Sequence, residues 1–262
     1  EQQIFHYLTK KANQESIPIC FALDYSQAIG DRGDISNNYI EKEFPVGSII
    51  TQEFNTIFRS SQEIAELCAS ITSSGAALFN AFINPYKAAT SGFTAREDSF
   101  CRHPKLYMYN SDKEMMSSLK NHVDDMIKTF QCSPNEIAII VFGQDGIDSE
   151  MISENSGHSV IELISKNSIA GNSKEKNSLV LSTPENINGL EFNGVILVGV
   201  DEGRVPITSQ SDISENFMRF KALNQLYLAC SRARFQVRIL GNLSRGISSC
   251  LNYSLEKGTL AT

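Results

Sequence analysis

A chain of 262 residues, 41% of them apolar, is long enough for one large domain or two smaller ones and too apolar for wholesale disorder. Its net charge of -7 excludes a generally basic nucleic-acid coat, although 23 Lys and Arg leave room for a local groove. Six cysteines without Cys-x-x-Cys spacing, and apart from the four histidines, argue against zinc and for reduced thiols in a cytoplasmic protein; no run reaches the length of a membrane span.

Residues 1–12 have helical spacing, with Ile4, Phe5 and Leu8 on one side. Ile17 to Leu23 reads as a buried strand ending in the polar run Asp24-Tyr25-Ser26-Gln27, where open α/β sheets place their ligands. A short helix is expected over 35–44, stopped by Pro45, then a strand over 48–54. Phe58-Arg59-Ser60-Ser61 opens a helix that runs to about Asn80, with Glu63 in its first turn and Ile64, Leu67, Cys68 and Ile71 on its apolar stripe. The stretch 84–103 is expected to be irregular. Further along, strands are predicted over 106–109, 137–142, 179–181, 195–200 and 236–240. A single amphipathic helix is predicted over 115–130, another near Ser149, and a third after residue 215 with Phe217, Phe220, Leu223, Leu226, Tyr227 and Cys230 inward. Strands alternating with helices predict an α/β fold with a mostly parallel sheet flanked by helices.

Chemistry-bearing residues cluster in a few places. Arg32, Arg59 and Arg232 flank apolar segments in a way that places them at one edge of a sheet, and a guanidinium grips phosphate oxygens bidentately. Arg232 has a plainer role open to it, since a cation at a helix end offsets the macrodipole. Gln27 can hold a water or a terminal phosphate, or serve as a turn residue. Glu191, just before the apolar run 195–200, can accept from a ribose hydroxyl or stand as a solvated loop carboxylate. Gly189 marks a tight turn. No Gly-x-x-x-x-Gly-Lys-Ser/Thr loop is present, so any nucleotide would be held as half of a site.

Taken in order, Asp24-Tyr25-Ser26-Gln27 with Arg32-Gly33, Phe58-Arg59-Ser60-Ser61, Asn188-Gly189-Leu190-Glu191-Phe192 with Glu202-Gly203, and Ser231-Arg232-Ala233-Arg234 resemble four successive motifs of the UvrD/Rep/PcrA-type superfamily 1 DNA helicases. The resemblance runs from about Ile17 to Leu240. It implies a RecA-like (P-loop NTPase-type) fold lacking its own P-loop, with residues 1–45 as the end of a first RecA-like domain and 46–262 as the second. It implies an ATP-dependent helicase, of the kind used in DNA repair, that is inactive as this piece alone. ATP would be met by Gln27, Arg59, Gly189, Glu191 and Arg232, with Gln27, Arg59 and Arg232 catalytic. The Mg2+ ligands and the P-loop would belong to an upstream domain. Single-stranded or partly duplex DNA would be met by Arg32, Thr183 and Asn188. The sequence departs from the family where Glu185 and Asn188 replace the usual His and Lys, which removes two cations from the strand-facing loop. The alternative reading is a degenerate helicase-like module that binds DNA or protein without turnover.

Overall fold

The sheet is built around Ile137-Ala-Ile-Ile-Val141, every residue of which is buried. A strand of this kind is covered on both faces, as parallel strands with helical crossovers are. The computed structural model describes residues 10–11, 56–79, 90–143, 147–163, 177–187, 189–208 and 212–262, and leaves the side chains of 76–79 and 212–214 undescribed. The chain divides into two units, Glu1–Phe54 and Asn55–Thr262. Of the first, only Lys10 and Lys11 are described, both helical. The strand and helix expected over 17–44, together with Gln27 and Arg32, lie outside the described residues.

In the second unit the described strands are β1 (Thr56–Ile57), β2 (Thr90–Ser91), β3 (Lys105–Tyr109), β4 (Ile137–Val141), β5 (Ser159–Glu162), β6 (Ser178–Ser182), β7 (Phe192–Val198) and β8 (Ala233–Asn242). The described helices are α1 (Gln62–Phe79), α2 (Ala95–Asp98), α3 (Asp112–Ser117), α4 (Leu119–Phe130), α5 (Ser149–Ser156), α6 (Asp212–Cys230) and α7 (Asn252–Glu256). The first two strands pair with each other, and the rest form a parallel six-stranded sheet in the order β3-β8-β7-β4-β6-β5. The fold is therefore α/β with a mostly parallel sheet flanked by helices, consistent with a RecA-like domain.

Alternation along the strands sorts the core. Ile137, Ile139, Val141, Ile196 and Val198 face Met115, Met116, Leu119, Val123, Met126 and Phe130 of α3 and α4. On the other face, where Val195 and Leu197 are fully buried, α1 and α6 pack on each other, α1 against β8 and α6 against β7 and β8. Ile64, Leu67, Ile71, Leu223 and Leu226 fill that layer. The outer margin of β3 is partly covered by the last residues of the chain, since Leu106 N donates to Ala261 O at 2.7 Å and Ala261 N to Pro104 O at 3.0 Å.

Several local expectations are corrected. The helix expected over 115–130 is two helices meeting at Ser118, which caps the second without a side-chain bond while its hydroxyl bonds back to Met115 O at 2.7 Å. The stretch 84–103, expected to be irregular, contains α2, whose Thr94–Glu97 capping box ties both orphan amides reciprocally. Strand β5 was not expected at all; it is short and half exposed at the sheet margin. Phe217 and Phe220 were placed inward but are 44% and 49% exposed, because the buried face of α6 is carried by Ala222, Leu223, Leu226, Ala229 and Cys230.

Candidate functional site

Strands β7 and β8 begin side by side, with Phe192 opposite Ala233 and Phe192 N donating to Arg232 O at 2.9 Å. The residues just before them, Glu191 and Arg232, are thereby neighbours at the amino edge of the sheet. A third segment is tied to the same corner. Ser60 Oγ donates to Ala233 O at 2.9 Å, and Ser61 N donates to Arg234 O at 2.9 Å. Ser61 also starts α1, accepting from Ile64 N at its side chain and from Ala65 N at its carbonyl. Arg59 therefore arrives where Glu191 and Arg232 already stand, and its Nε lies 3.8 Å from Glu191 Oε1.

The two arginines are held differently. Arg232 is buried; its Nε donates to Leu228 O at 3.2 Å and its Nη2 to Ser231 Oγ at 3.0 Å. The bond to Leu228 O also satisfies a carbonyl in the last turn of α6, so the plainer helix-end role is present alongside any other. Burial, and then the adjacent Arg59 cation, hold the Arg232 guanidinium below its ordinary value, while Tyr227, Cys68 and Glu191 pull the other way. Arg59 is half exposed, yet its Nε is buried and makes no hydrogen bond. In a chain of net charge -7 this corner thus carries two guanidinium groups against one half-exposed carboxylate. Such a corner favours an anion with several oxygens.

The turn that carries Arg59 is pinned from beyond the strand starts. Ser91 N donates to Gln62 Oε1 at 2.8 Å, and Ser91 Oγ donates to Ser60 O at 3.0 Å. Phe58, beside Arg59, is 74% exposed. Its ring lies 2.4 Å from where a Cβ at Gly92 would be, so a side chain there would push the exposed ring aside. Phe58 was not singled out by sequence reasoning, although its place next to Arg59 was the available signal.

Glu191 and Thr183 sit at the two ends of one crossover. Thr183 follows β6 at the carboxyl edge and is exposed; Glu191 precedes β7 at the amino edge. Between them Asn186 N donates to Thr183 O at 3.1 Å, Ile187 is fully buried as an anchor, and Gly189, expected at a tight turn, takes the left-handed φ of +83°. Glu185 accepts a hydrogen bond from Gln225 Nε2 of α6. The structure thus brings Arg59, Glu191 and Arg232 together, sets Gly189 two positions away on the same crossover, and leaves Thr183 at the opposite edge. Asn188, like Gln27 and Arg32, lies outside the described residues.

The carboxyl edge holds a second polar cluster that the sequence reading did not reach. Arg204 is buried and bidentate to the fully buried Asp201, with Nε to Oδ1 at 2.8 Å, and its Nη2 reaches Asp112 Oδ1 at 2.7 Å. Asn242 closes the cluster, donating from its backbone N to Asp201 Oδ2 at 2.8 Å and from Nδ2 to Asp112 Oδ1 at 2.9 Å. Burial pushes the Asp112 carboxyl up, but the Arg204 and Asn242 donors outweigh it and hold it below the usual range. Both Asp201 oxygens and the Nε and Nη2 of Arg204 are engaged, so this is a clamp joining the turn after β7 to β8 and α3. Arg234 has a comparable bracing part at the other edge: it pairs with Glu97 at 2.9 Å and stacks 5.3 Å from the centre of the Phe235 ring.

Among the described residues no group of His, Cys, Asp and Glu could hold a metal ion, and no helix is long and apolar enough to cross a membrane. No protein-family model and no curated protein matches the sequence. Among solved structures, the chain is similar to the C-terminal domain of a possible DNA helicase from Lactobacillus plantarum WCFS1, at 16% identity and a TM-score of 0.47, over 78% of this chain and 97% of that one.

Proposed function

We propose that the chain is the C-terminal motor portion of an ATP-dependent DNA helicase or translocase of the UvrD/Rep/PcrA type. It supplies Arg59 and Arg232 to an ATP site whose phosphate cradle and Mg2+ ligands belong to an upstream P-loop domain. The observation that carries this reading is the meeting of Arg59, Glu191 and Arg232 at one corner, from three motifs far apart in sequence. Arg59 and Arg232 would hold the terminal phosphate oxygens. The Nε of Arg59 is unbonded, as are those of Arg219 and Arg234, so support for the role comes from its place beside Arg232 and Glu191. Glu191 would accept from the ribose, and the exposed face of Phe58 suits a base laid against it. Gln27 would contact the terminal phosphate; Arg32, Thr183 and Asn188 would meet the DNA strand.

Bound ATP supplies the phosphoryl group, and the part of this chain is electrostatic. Fixed guanidinium groups offset charge as it gathers on the transferring oxygens, a contribution of about 10³ to 10⁵ in rate. The test is DNA-stimulated ATP hydrolysis by the chain supplied with its P-loop domain. Arg59→Ala and Arg232→Lys should each lower kcat by about 10³ or more. Unchanged turnover in both would remove the finger assignment.

A degenerate, non-hydrolysing module is favoured by one feature, the exposed Glu185 held by Gln225 on the strand-facing crossover in place of a cation. Strand binding without any hydrolysis in the same assay would select it.

A further inference from the structure

The contact between Arg59 and Glu191 is an attraction without a hydrogen bond. At 3.8 Å it is too long for one, and the buried Nε of Arg59 has no other partner. The neighbouring cation, Arg232, is fixed by Leu228 O and Ser231 Oγ and cannot move away. Arg59 is thus drawn to a site already positive by Glu191, the carboxylate within 4 Å of it among the described residues, and the two side chains of that pair are still 36% and 47% exposed. Exposed pairs of this geometry are weak and screened by salt. A polyphosphate, offering several oxygens at bonding distance to both guanidinium groups, replaces such a contact readily. We infer that Glu191 is a displaceable counter-ion: it parks Arg59 beside Arg232 while the site is empty, and sets the anion strength needed to take its place.

This rests on the phosphate role proposed for the two arginines. It adds a second part for Glu191, in competition with the phosphate rather than in support of the ribose. A carboxylate that only binds ribose leaves the affinity for a bare polyphosphate unchanged when neutralised. A competing counter-ion makes that affinity rise.

The probe is inorganic tripolyphosphate, which has neither ribose nor base, titrated calorimetrically into the 262-residue chain at low salt. Glu191→Gln should bind it about twofold to fivefold tighter than the wild type, the size expected of one exposed charge pair. The gain should shrink as salt is raised and should vanish in the Arg59→Gln/Glu191→Gln double variant, because Arg59 is the group released. Glu162→Gln, an exposed carboxylate on β5, should give no such gain; an equal gain there would reduce the effect to net charge and overturn the inference. If Arg59→Gln and Arg232→Lys weaken binding but Glu191→Gln does not tighten it, the counter-ion role is wrong and the phosphate reading stands. If neither arginine change alters binding, or the wild type binds no tripolyphosphate, both fall. Unchanged far-ultraviolet circular dichroism of each variant keeps unfolding out of the comparison.

Discussion

The Nε2 of His122 lies 2.6 Å from the hydroxyl oxygen of Tyr109, and a third residue decides which of them donates. Arg238 Nη1 sits 3.2 Å from Nδ1 of the same ring, and a guanidinium can only donate. Nδ1 therefore accepts, the ring proton is on Nε2, and the imidazole is neutral and donates to Tyr109. Burial, and then the Arg238 cation, hold the His122 ring down from 6.5 to about 4, with Asp125 opposing.

Stability should therefore depend on pH through this ring. Above pH 6.5 the ring is neutral in both states and its contribution is intact. As pH falls below 6.5 the unfolded chain takes up a proton that the folded chain refuses until about pH 4. Folding stability is lost across that window, by at most about 3 kcal/mol. Urea midpoints measured from pH 7.5 to 4.5 should fall less steeply for His122→Gln than for the wild type; parallel slopes would show that His122 is not the titrating group.

Removing Arg204 should be far more damaging than its single position suggests. Asp201 is fully buried, and without Arg204 its charge keeps the Asn242 amide and the half-exposed Arg245, whose Nε is 4.0 Å away. Arg204→Ala should cost about 3 to 5 kcal/mol in chemical denaturation. The Asp201→Asn/Arg204→Met pair should cost less than the sum of its single changes, since they share one interaction. Asp112, whose side chain is 45% exposed, should matter less, at about 1 kcal/mol or below.

Arg59→Ala should separate function from stability. The side chain is half exposed, lacks a hydrogen bond at Nε and stands beside another cation. The variant should unfold within about 0.5 kcal/mol of the wild type while losing tripolyphosphate binding. A large destabilisation would mean that Arg59 is a structural group.

Arg234→Ala should loosen the segment around α2. Its pairing with Glu97 and its stacking on Phe93 and Phe235 brace that short helix against β8. Limited trypsin digestion should cut after Arg96 or Arg102 sooner in the variant. An unchanged digestion pattern would indicate that the capping box of Thr94 suffices.

Much of this architecture is legible in the residues themselves. Strands β4, β6 and β7 are apolar runs that only a doubly covered sheet accommodates, and α1 follows from Ser61, Glu63 and a 3.6-residue stripe. Tertiary partners decide the remainder. Helix α2 has a local capping box at Thr94 and Glu97, but the brace on it comes from Arg234, 137 positions from Glu97. Phe217 and Phe220 have the spacing of a buried face, but small residues further along, Ala222 and Ala229, let α6 approach the sheet with a different face inward. The break at Ser118 leaves no mark in a chain that is helical on both sides. At the candidate site, motif order points to Arg59, Glu191 and Arg232, but their meeting depends on the pairing of Phe192 with Ala233. That register is visible only once the strands are laid side by side. The Arg204 clamp had a local hint in the i,i+3 spacing of Asp201 and Arg204, yet Asp112 and Asn242 belong to other strands and helices.

The crossover from Thr183 to Glu191 has a mechanical side. Register through Ile140 sets Ser182 level with Leu197, so Glu191 lies about 20 Å back along the sheet at ~3.3 Å per residue. The two strands the crossover joins are parallel with β4 between them, and parallel strands are ordinarily joined through a dozen residues or more. Here the path is shorter, and turns at Asn186 and Leu190 take up part of its reach. It has almost no slack. A cord under tension passes a pull from one end to the other, whereas a loose one absorbs it, and its length matters more to that than the charges along it.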